Sequence, residues 1–339
     1  MAFNRNEESK ALTGVRPTGE LTIGNYLGAL QPVVKMQDSF DGPVSVFVAD
    51  IHGLTDQEPE TVVGSRLIAA KALLASGINP ERTAIYLQSQ IEPQTLYLAN
   101  LLDRHTTPSE LERVPTLKDK LRDGQQASGV NLSLFRYPIL MSADIAIQDA
   151  THVPVGEDQL AHIELTRRIV RRFNNRYGAG ETILTEPKTL AQEALRIAAL
   201  VSKDGKMSKS KPQSAILLRD SPEIVAKKIK KAETALPGEM NETLDSHFTV
   251  ARLLADDERS RQNVDTVLAE HLEGKPVMGS FKTLLTDYIN TFLANFNERF
   301  DSVSDDEIRS ILKDGGDKAN QQANKVDSRV REALGLTGF

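Results

Sequence analysis

Hydrophobic positions along this chain follow two rhythms, and the place where one gives way to the other divides it. Pro43–Asp50 (PVSVFVAD) is a run of β-branched and apolar residues, the pattern of a strand buried on both faces. Ala11–Thr13 and Thr83–Gln88 are shorter runs of the same kind. Between Glu60 and Ser76 the apolar residues recur at helical spacing and stop at Gly77, a helix-end signal. Strands alternating with helices predict a parallel sheet with crossover helices. Pro93–Asp149 reads as mainly helical, broken by a polar loop at Lys118–Gly129, and Leu160–Asn174 as a charged amphipathic helix. Thr182–Leu184 and Ala215–Leu218 look strand-like on either side of the loop Ser202–Pro212. Pro32 predicts a kink or an early end in the first helix. Beyond Asp220 strand signals cease, and helices are expected over Ser221–Thr234, Phe248–Leu254, Arg259–Glu273, Val277–Phe300 and Asp305–Leu334. The expected organisation is an α/β domain over residues 11–220, with a helical insertion at about 93–149, and an α-helical domain over 221–339.

Composition narrows the chemistry. At 339 residues the chain can bury a large core, and two domains are the natural expectation. It has no cysteine, which removes disulfides, thiolate zinc sites and cysteine nucleophiles, and fits a cytoplasmic location. The six histidines lack metal-ligand spacing, so no zinc or other protein-held metal is expected. Acidic residues outnumber basic ones, 47 to 41, which argues against nucleic acid bound through bulk charge and leaves room for a local basic surface. No apolar stretch is long enough to span a membrane, and the N-terminal residues lack the pattern of a secretion signal. Tryptophan is absent.

Two segments carry candidate chemistry. Gly14–Asn25 (GVRPTGELTIGN) is a glycine-rich turn beside a strand. Such a turn lets backbone N–H groups approach phosphate, although Gly and Pro also serve simply to turn the chain. It is neither a Walker loop nor a G-x-G-x-x-G dinucleotide turn. The second is Lys203–Pro212, with four lysines and two serines within a few residues. It can follow a polyphosphate and stabilise charge developing on it, or it can be a solvated surface loop.

Together, Thr22-Ile-Gly-Asn25 and Lys206-Met-Ser-Lys-Ser210 resemble the paired signatures of class I aminoacyl-tRNA synthetases, the first in variant form and the second unaltered. Tyr137-Pro-Ile-Leu-Met-Ser-Ala-Asp-Ile145 and Val153-Pro-Val-Gly-Glu-Asp-Gln159, followed by His-Ile-Glu-Leu-Thr166 and Arg172-Phe-Asn174, look like tryptophanyl-tRNA synthetases of the bacterial type. The likeness runs from Gly14 to about Lys231. It implies a Rossmann-like parallel-sheet catalytic domain followed by an anticodon-contacting helical domain. The activity it implies is a tryptophan–tRNA ligase that joins L-tryptophan to ATP, releases pyrophosphate and passes the acyl group to tRNA(Trp). It also implies a homodimer with tRNA spanning both subunits, and Mg2+ arriving with ATP, held mainly by phosphate oxygens.

By the same resemblance Thr22, Asn25, Lys118, Lys206 and Lys209 are the catalytic set. ATP would lie along Arg16, Pro17, Thr18, Gly24, Asn25, Gly156, Glu157, Asp158 and Ile197, with Lys206, Met207, Ser208, Lys209 and Ser210 on its phosphates. Asp158 would accept from the ribose hydroxyls, and the backbone at Ile197 would meet the adenine. Asp144 is the expected reader of the indole N–H, a group that can only donate. Taken alone, Asp144 reads better as a helix cap. Met141, Val153 and Val155 would pack on the ring, Tyr137 and Gln159 would meet the amino group, and His52 would form part of the wall. Arg167, Arg168, Arg171, Arg172 and Arg176, with Lys227, Lys228, Lys230 and Lys231, are candidates for tRNA phosphates or for solvated faces. Leu96–Leu102 is a candidate interface or core.

Four positions depart from the family pattern: Arg16 where Gln is common, Leu12 where an aromatic is frequent, the Val114–Lys118 loop, and Pro32. Altered affinity and an auxiliary copy in the host follow as expectations. Two alternatives stand beside this reading: a tyrosyl enzyme, and a synthetase-like protein that no longer charges tRNA.

Overall fold

The computed structural model describes residues 9–115, 117, 131–156, 159–191, 195, 197–208 and 210–337. Five strands form one parallel sheet: β1 (Ala11–Val15), β2 (Val44–Val48), β3 (Thr83–Leu87), β4 (His152–Val155) and β5 (Lys188–Ala191). Their spatial order is β3-β2-β1-β4-β5. Chain order therefore reverses beside β1, which pairs β2 on one side and β4 on the other. In open α/β sheets that switch point, at the carboxyl ends of the strands, is where ligands sit.

Crossovers are made by α1 (Gln31–Ser39), α2 (Pro59–Ala75), α3 (Glu92–Leu102), α4 (Leu132–Ile147) and α5 (Leu160–Tyr177). After them come α6 (Pro222–Lys231), α7 (Glu242–Leu254), α8 (Glu258–Leu272), α9 (Met278–Ser302) and α10 (Asp305–Ala333). One apolar cluster joins Val46, Val48 and Leu73 to Phe248, Phe281 and Phe296 of the later helices. A second joins Phe47, Tyr86 and Ile145 to Ala323 and Val326 of α10. Both faces of the sheet are thus covered, which is why β2 and β3 are nearly continuous apolar runs. The last helix lies against β3 so closely that a Cβ on Gly315 would fall 1.9 Å from the carbonyl oxygen of Ile85.

The sequence anticipates the first three strands and most helices within a few residues. It misses β4 and β5, and it puts a strand at Thr182–Leu184, which the structure shows as irregular chain. That segment is held instead by Asn174, whose amide donates to the Leu184 carbonyl and accepts from the N–H groups of Ile183 and Leu184. Ala215–Leu218 is not a strand of the sheet either; Leu217 makes an isolated antiparallel bridge to Thr22. Pro32 does not end the first helix: helical chain runs unbroken from Ile23 to Ser39. It follows directly on a π-helical turn at Tyr26–Leu30, a local irregularity in keeping with a proline inside a helix.

Candidate active site

The first signature is an N-cap. Thr22 Oγ1 accepts from the Asn25 N–H at 3.1 Å, and Asn25 Oδ1 accepts from the Thr22 N–H and hydroxyl at 2.9 Å each. This reciprocal capping box pins the helical turn Ile23–Asn25. Thr22 is buried and its hydroxyl is already committed, so in this structure it positions Asn25 rather than facing a ligand. Asn25 is exposed. With its oxygen used in the box, it offers its amide N–H groups outward.

The second signature packs directly on the first. A Cβ on Gly24 would lie 3.5 Å from Ile197 Cβ and 3.6 Å from Met207 Cβ. The Met207 N–H donates to the Ile197 carbonyl at 3.0 Å, and the Ala199 N–H to the Gly205 carbonyl at 2.7 Å. Gly205 has φ +67°, a conformation that favours glycine. The two signatures, far apart in sequence, therefore form one unit. It is strapped further by the Ile23 N–H to the Ile216 carbonyl and the Leu218 N–H to the Leu21 carbonyl. The Met207 and Ile197 side chains are buried core, whereas Lys206 and Ser210 are exposed. Ser208 and Ser210 share a hydroxyl hydrogen bond at 2.9 Å. Lys118, Glu157, Asp158 and Lys209 lie outside the described residues.

The carboxyl ends of the strands supply the remaining groups. After β1, Arg16 pairs with Asp56, Pro17 is buried against the turn at Gly53, and Thr18 is half-buried. The charge that sets Arg16 apart is thus met locally by a carboxylate. In β1 itself Leu12 is buried. Gly14 has no room for a side chain, since a Cβ there would come within 2.6 Å of the Phe47 ring. After β4, the Gly156 carbonyl accepts from the N–H of Gln159, which begins α5.

Asp144 lies 3 % exposed within α4. The cap of that helix is Asn131, whose side chain accepts from the Leu134 N–H, so capping does not account for Asp144. Its Oδ2 is 2.9 Å from His52 Nε2, and the Gln88 amide donates to both carboxylate oxygens at 2.9 Å. His52 sits on the turn after β2 and Gln88 directly after β3. The buried Tyr86 phenol is pushed well above its ordinary pKa, first by burial and then by the Asp144 charge. Tyr137, Met141 and Asp144 are spaced to share one face of α4. Tyr137 Oη is 2.9 Å from His162 Nε2, and its ring lies 6.5 Å from His52, edge to face. Val153 and Val155 are buried in β4.

Sequence reasoning missed Gln88. The signal available was its place as the polar last residue of a predicted strand, although nothing there identified its partner. Asp50 was missed too: buried, it accepts from the Ser89 hydroxyl at 2.6 Å and ties the turn bearing His52 to the end of β3. One tRNA-contact expectation needs correction. Lys228 is buried and ion-paired to Asp220 at 2.6 Å, so it is a core residue rather than a phosphate contact. Arg167, Arg171 and Arg172 are engaged by the Pro187 carbonyl, Glu186 and Glu110 respectively. Within Leu96–Leu102, Leu98, Ala99 and Leu102 are core and Leu96 is exposed.

A parallel sheet whose chain order reverses at β1, with a capped glycine turn locked onto a lysine-bearing loop at its carboxyl edge, defines a nucleotide-using enzyme of the class I synthetase architecture. The family model for class I tRNA synthetases (W and Y) matches residues 4–294, and the chain belongs to that family. It is 33 % identical over 338 residues to a tryptophan–tRNA ligase of Helicobacter pylori, covering 97 % of this chain and 99 % of the relative. To the tryptophan–tRNA ligase of Prochlorococcus marinus it is 36 % identical over 341 residues, covering 97 % and 98 %. Among solved structures it resembles the tryptophanyl-tRNA synthetase of Campylobacter jejuni complexed with ADP and tryptophan, with a TM-score of 0.79 and 31 % identity, covering 96 % of this chain and 100 % of that one. The sequence expectation of a Rossmann-like tryptophan–tRNA ligase is borne out.

Proposed function

We propose that the protein activates L-tryptophan with ATP at the carboxyl edge of this sheet and transfers the acyl group to tRNA(Trp). In the first step a substrate carboxylate oxygen attacks the α-phosphorus and the bond to the β-phosphate oxygen breaks, giving tryptophanyl adenylate and pyrophosphate. In the second, the terminal ribose hydroxyl of tRNA displaces AMP. Positioning and charge stabilisation carry most of such catalysis. Asn25, held outward by its capping box, donates to phosphate oxygens. Lys206, with Lys118 and Lys209, meets the charge that collects on the leaving pyrophosphate. Gly156, with Glu157 and Asp158, takes the ribose side of ATP. Among the described residues no three His, Asp or Glu are grouped to hold a metal, and the donor set around the signatures is hydroxyls, amides and lysine. That set fits Mg2+ held by phosphate oxygens, where it would neutralise their charge.

The observation that carries the specificity is Asp144: a buried carboxylate on the Tyr137–Met141 face whose oxygens, among the described residues, meet Gln88 and His52. An indole N–H fits this acceptor by taking the lone pair that His52 holds. Tyr137 and Gln159 face the amino group, while Met141, Val153 and Val155 pack on the ring. The helices from residue 221 onward are proposed to reach the anticodon, in a homodimer where one tRNA spans both subunits. Among the described residues no helix is long and apolar enough to cross a membrane. We place the enzyme in the cytoplasm, where its tRNA is.

Pyrophosphate–ATP exchange with each of the twenty amino acids tests this reading. Exchange with tryptophan alone is expected, with Asp144→Ala raising the KM for tryptophan roughly 10- to 100-fold, as for loss of a hydrogen bond to a charged group. Exchange with tyrosine, or with no amino acid, would overturn it.

A further inference from the structure

The end of α5 remote from the substrate pocket carries arginines that the activation chemistry does not use. An open groove of about 470 Å³ runs between this helix end and the 3-10 turn Asp103–His105 that follows α3. Arg104 lines one wall, Asn175 and Arg176 the other, and Arg172 stands between them. Arg172 is a fixed strut: its guanidinium donates to both Glu110 oxygens at 2.8 and 2.9 Å and to the His105 carbonyl at 2.8 Å. Glu110 is saturated by that pair and by Thr106 and Thr107, and its carboxyl is held at about 2, chiefly by the hydrogen bond from Arg172.

Arg104 and Arg176 are different. Both are exposed, and neither has an ion-pair partner among the described residues. Arg176 lies over the Tyr177 ring at 5.6 Å, which orients its guanidinium without neutralising it. A single arginine in the last turn of a helix is explained by the helix dipole. Arg104 also stands in a last turn, that of the 3-10 stretch after α3, but on a separate element, and the dipole does not explain why both arginines line one groove. His105 also lines the groove, is buried, and leaves its Nε2 without a hydrogen-bond partner. Burial depresses its pKa, and the charges of Arg176, Arg104 and Arg172 push the same way, so positive potential converges here on a protein whose net charge is −6.

We infer that this groove binds a phosphate group, between the unpaired guanidiniums of Arg104 and Arg176. Guanidinium forks match phosphate oxygens two at a time, and the Asn175 amide adds a neutral donor. From His162, at the substrate pocket, to Arg176 the helix rises about 21 Å, so this phosphate is not one of the ATP phosphates at the signature turn. The shared chemistry has two sources: free inorganic phosphate, or a phosphodiester of tRNA. Only the tRNA source rests on the proposed function.

The test uses the full chain, the double variant Arg104→Gln/Arg176→Gln, and Arg309→Gln as an exposed-arginine control outside the groove. In one arm the His105 imidazole resonance is followed while inorganic phosphate is added. In the other, affinity for a tRNA(Trp) transcript is measured against salt. A saturable shift of His105 that the double variant lacks and the control keeps assigns the groove to free phosphate. A fall in the salt slope by about 2, so that the loss of affinity in the double variant is about tenfold greater near 50 mM than near 200 mM salt, assigns it to tRNA phosphates. Tryptophan-dependent exchange without tRNA is expected to stay unchanged in all three proteins, so failure of the ligase reading shows there and not in the groove. If the double variant matches the unaltered protein in both arms, the groove is not a phosphate site.

Discussion

At the residue scale, the site is organised by buried polar groups whose partners come from other strands. Gln88 is the clearest case: fully buried, it orients the Asp144 carboxylate through both oxygens. Gln88→Leu is expected to raise the KM for tryptophan several-fold and to cost about 1–3 kcal/mol of stability by leaving a buried acceptor short of a donor, checked by exchange kinetics and urea unfolding. Another buried group sets a pH limit. His247 in α7 is pushed down to about 4, first by burial and then by the nearby Lys282 charge, against a smaller opposing effect of Glu233. Its folded pKa lies below the unfolded value near 6.5, so below that value the unfolded chain takes up a proton that the native one refuses. The stabilisation is complete above about pH 6.5 and is lost as the pH falls toward 4, about 3 kcal/mol in all and about 2 of it by pH 5. Urea midpoints measured from pH 7 to 5 are expected to fall, and to fall less steeply in His247→Leu.

At the element scale, glycines inside helices separate local preference from tertiary demand. Gly64 lies in exposed mid-helix of α2 with nothing near its missing Cβ. Gly64→Ala is expected to raise stability by up to about 1 kcal/mol, the ordinary propensity gain. Gly315 also occupies a helix interior, yet a Cβ there would strike the backbone of β3. Gly315→Ala is expected to reverse the sign and cost about 1–3 kcal/mol, because α10 must move off the sheet. Thermal melts of the two variants, run side by side, would show opposite shifts. Strand periodicity failed at β4 and β5 for a local reason. Each is four residues long, and His152–Val155 contains a proline, so neither carries enough alternation to stand out from loop.

At the scale of the whole molecule, the division at about residue 220 is one of proposed roles rather than of independent folding. Arg329 of α10 donates to both Asp149 oxygens, at 2.6 and 3.2 Å, and to the Ile183 carbonyl at 2.6 Å, fastening the last helix beside β4. Ile308 and Leu312 belong to one core cluster, and Ala323 and Val326 to the other. A chain ending at residue 220 would uncover part of each face of its sheet. It is expected to lack a cooperative thermal transition by circular dichroism, whereas the full chain has one.

Much of this protein is legible in one dimension. The apolar runs of β1 to β3, the helical rhythm after residue 220 and the strings at Thr22–Asn25, Lys206–Ser210 and Tyr137–Ile145 are local patterns, set by side chains a few residues apart. They are sufficient to identify the family and to nominate Asp144. What the chain order cannot express is which distant groups meet. Gln88 and His52 on Asp144, Met207 against Gly24, Asp56 on Arg16, Lys228 inside the core and α10 across β3 are decided only when the sheet reverses its order at β1. Burial then removes water as a partner, and each polar group has to find another across the fold.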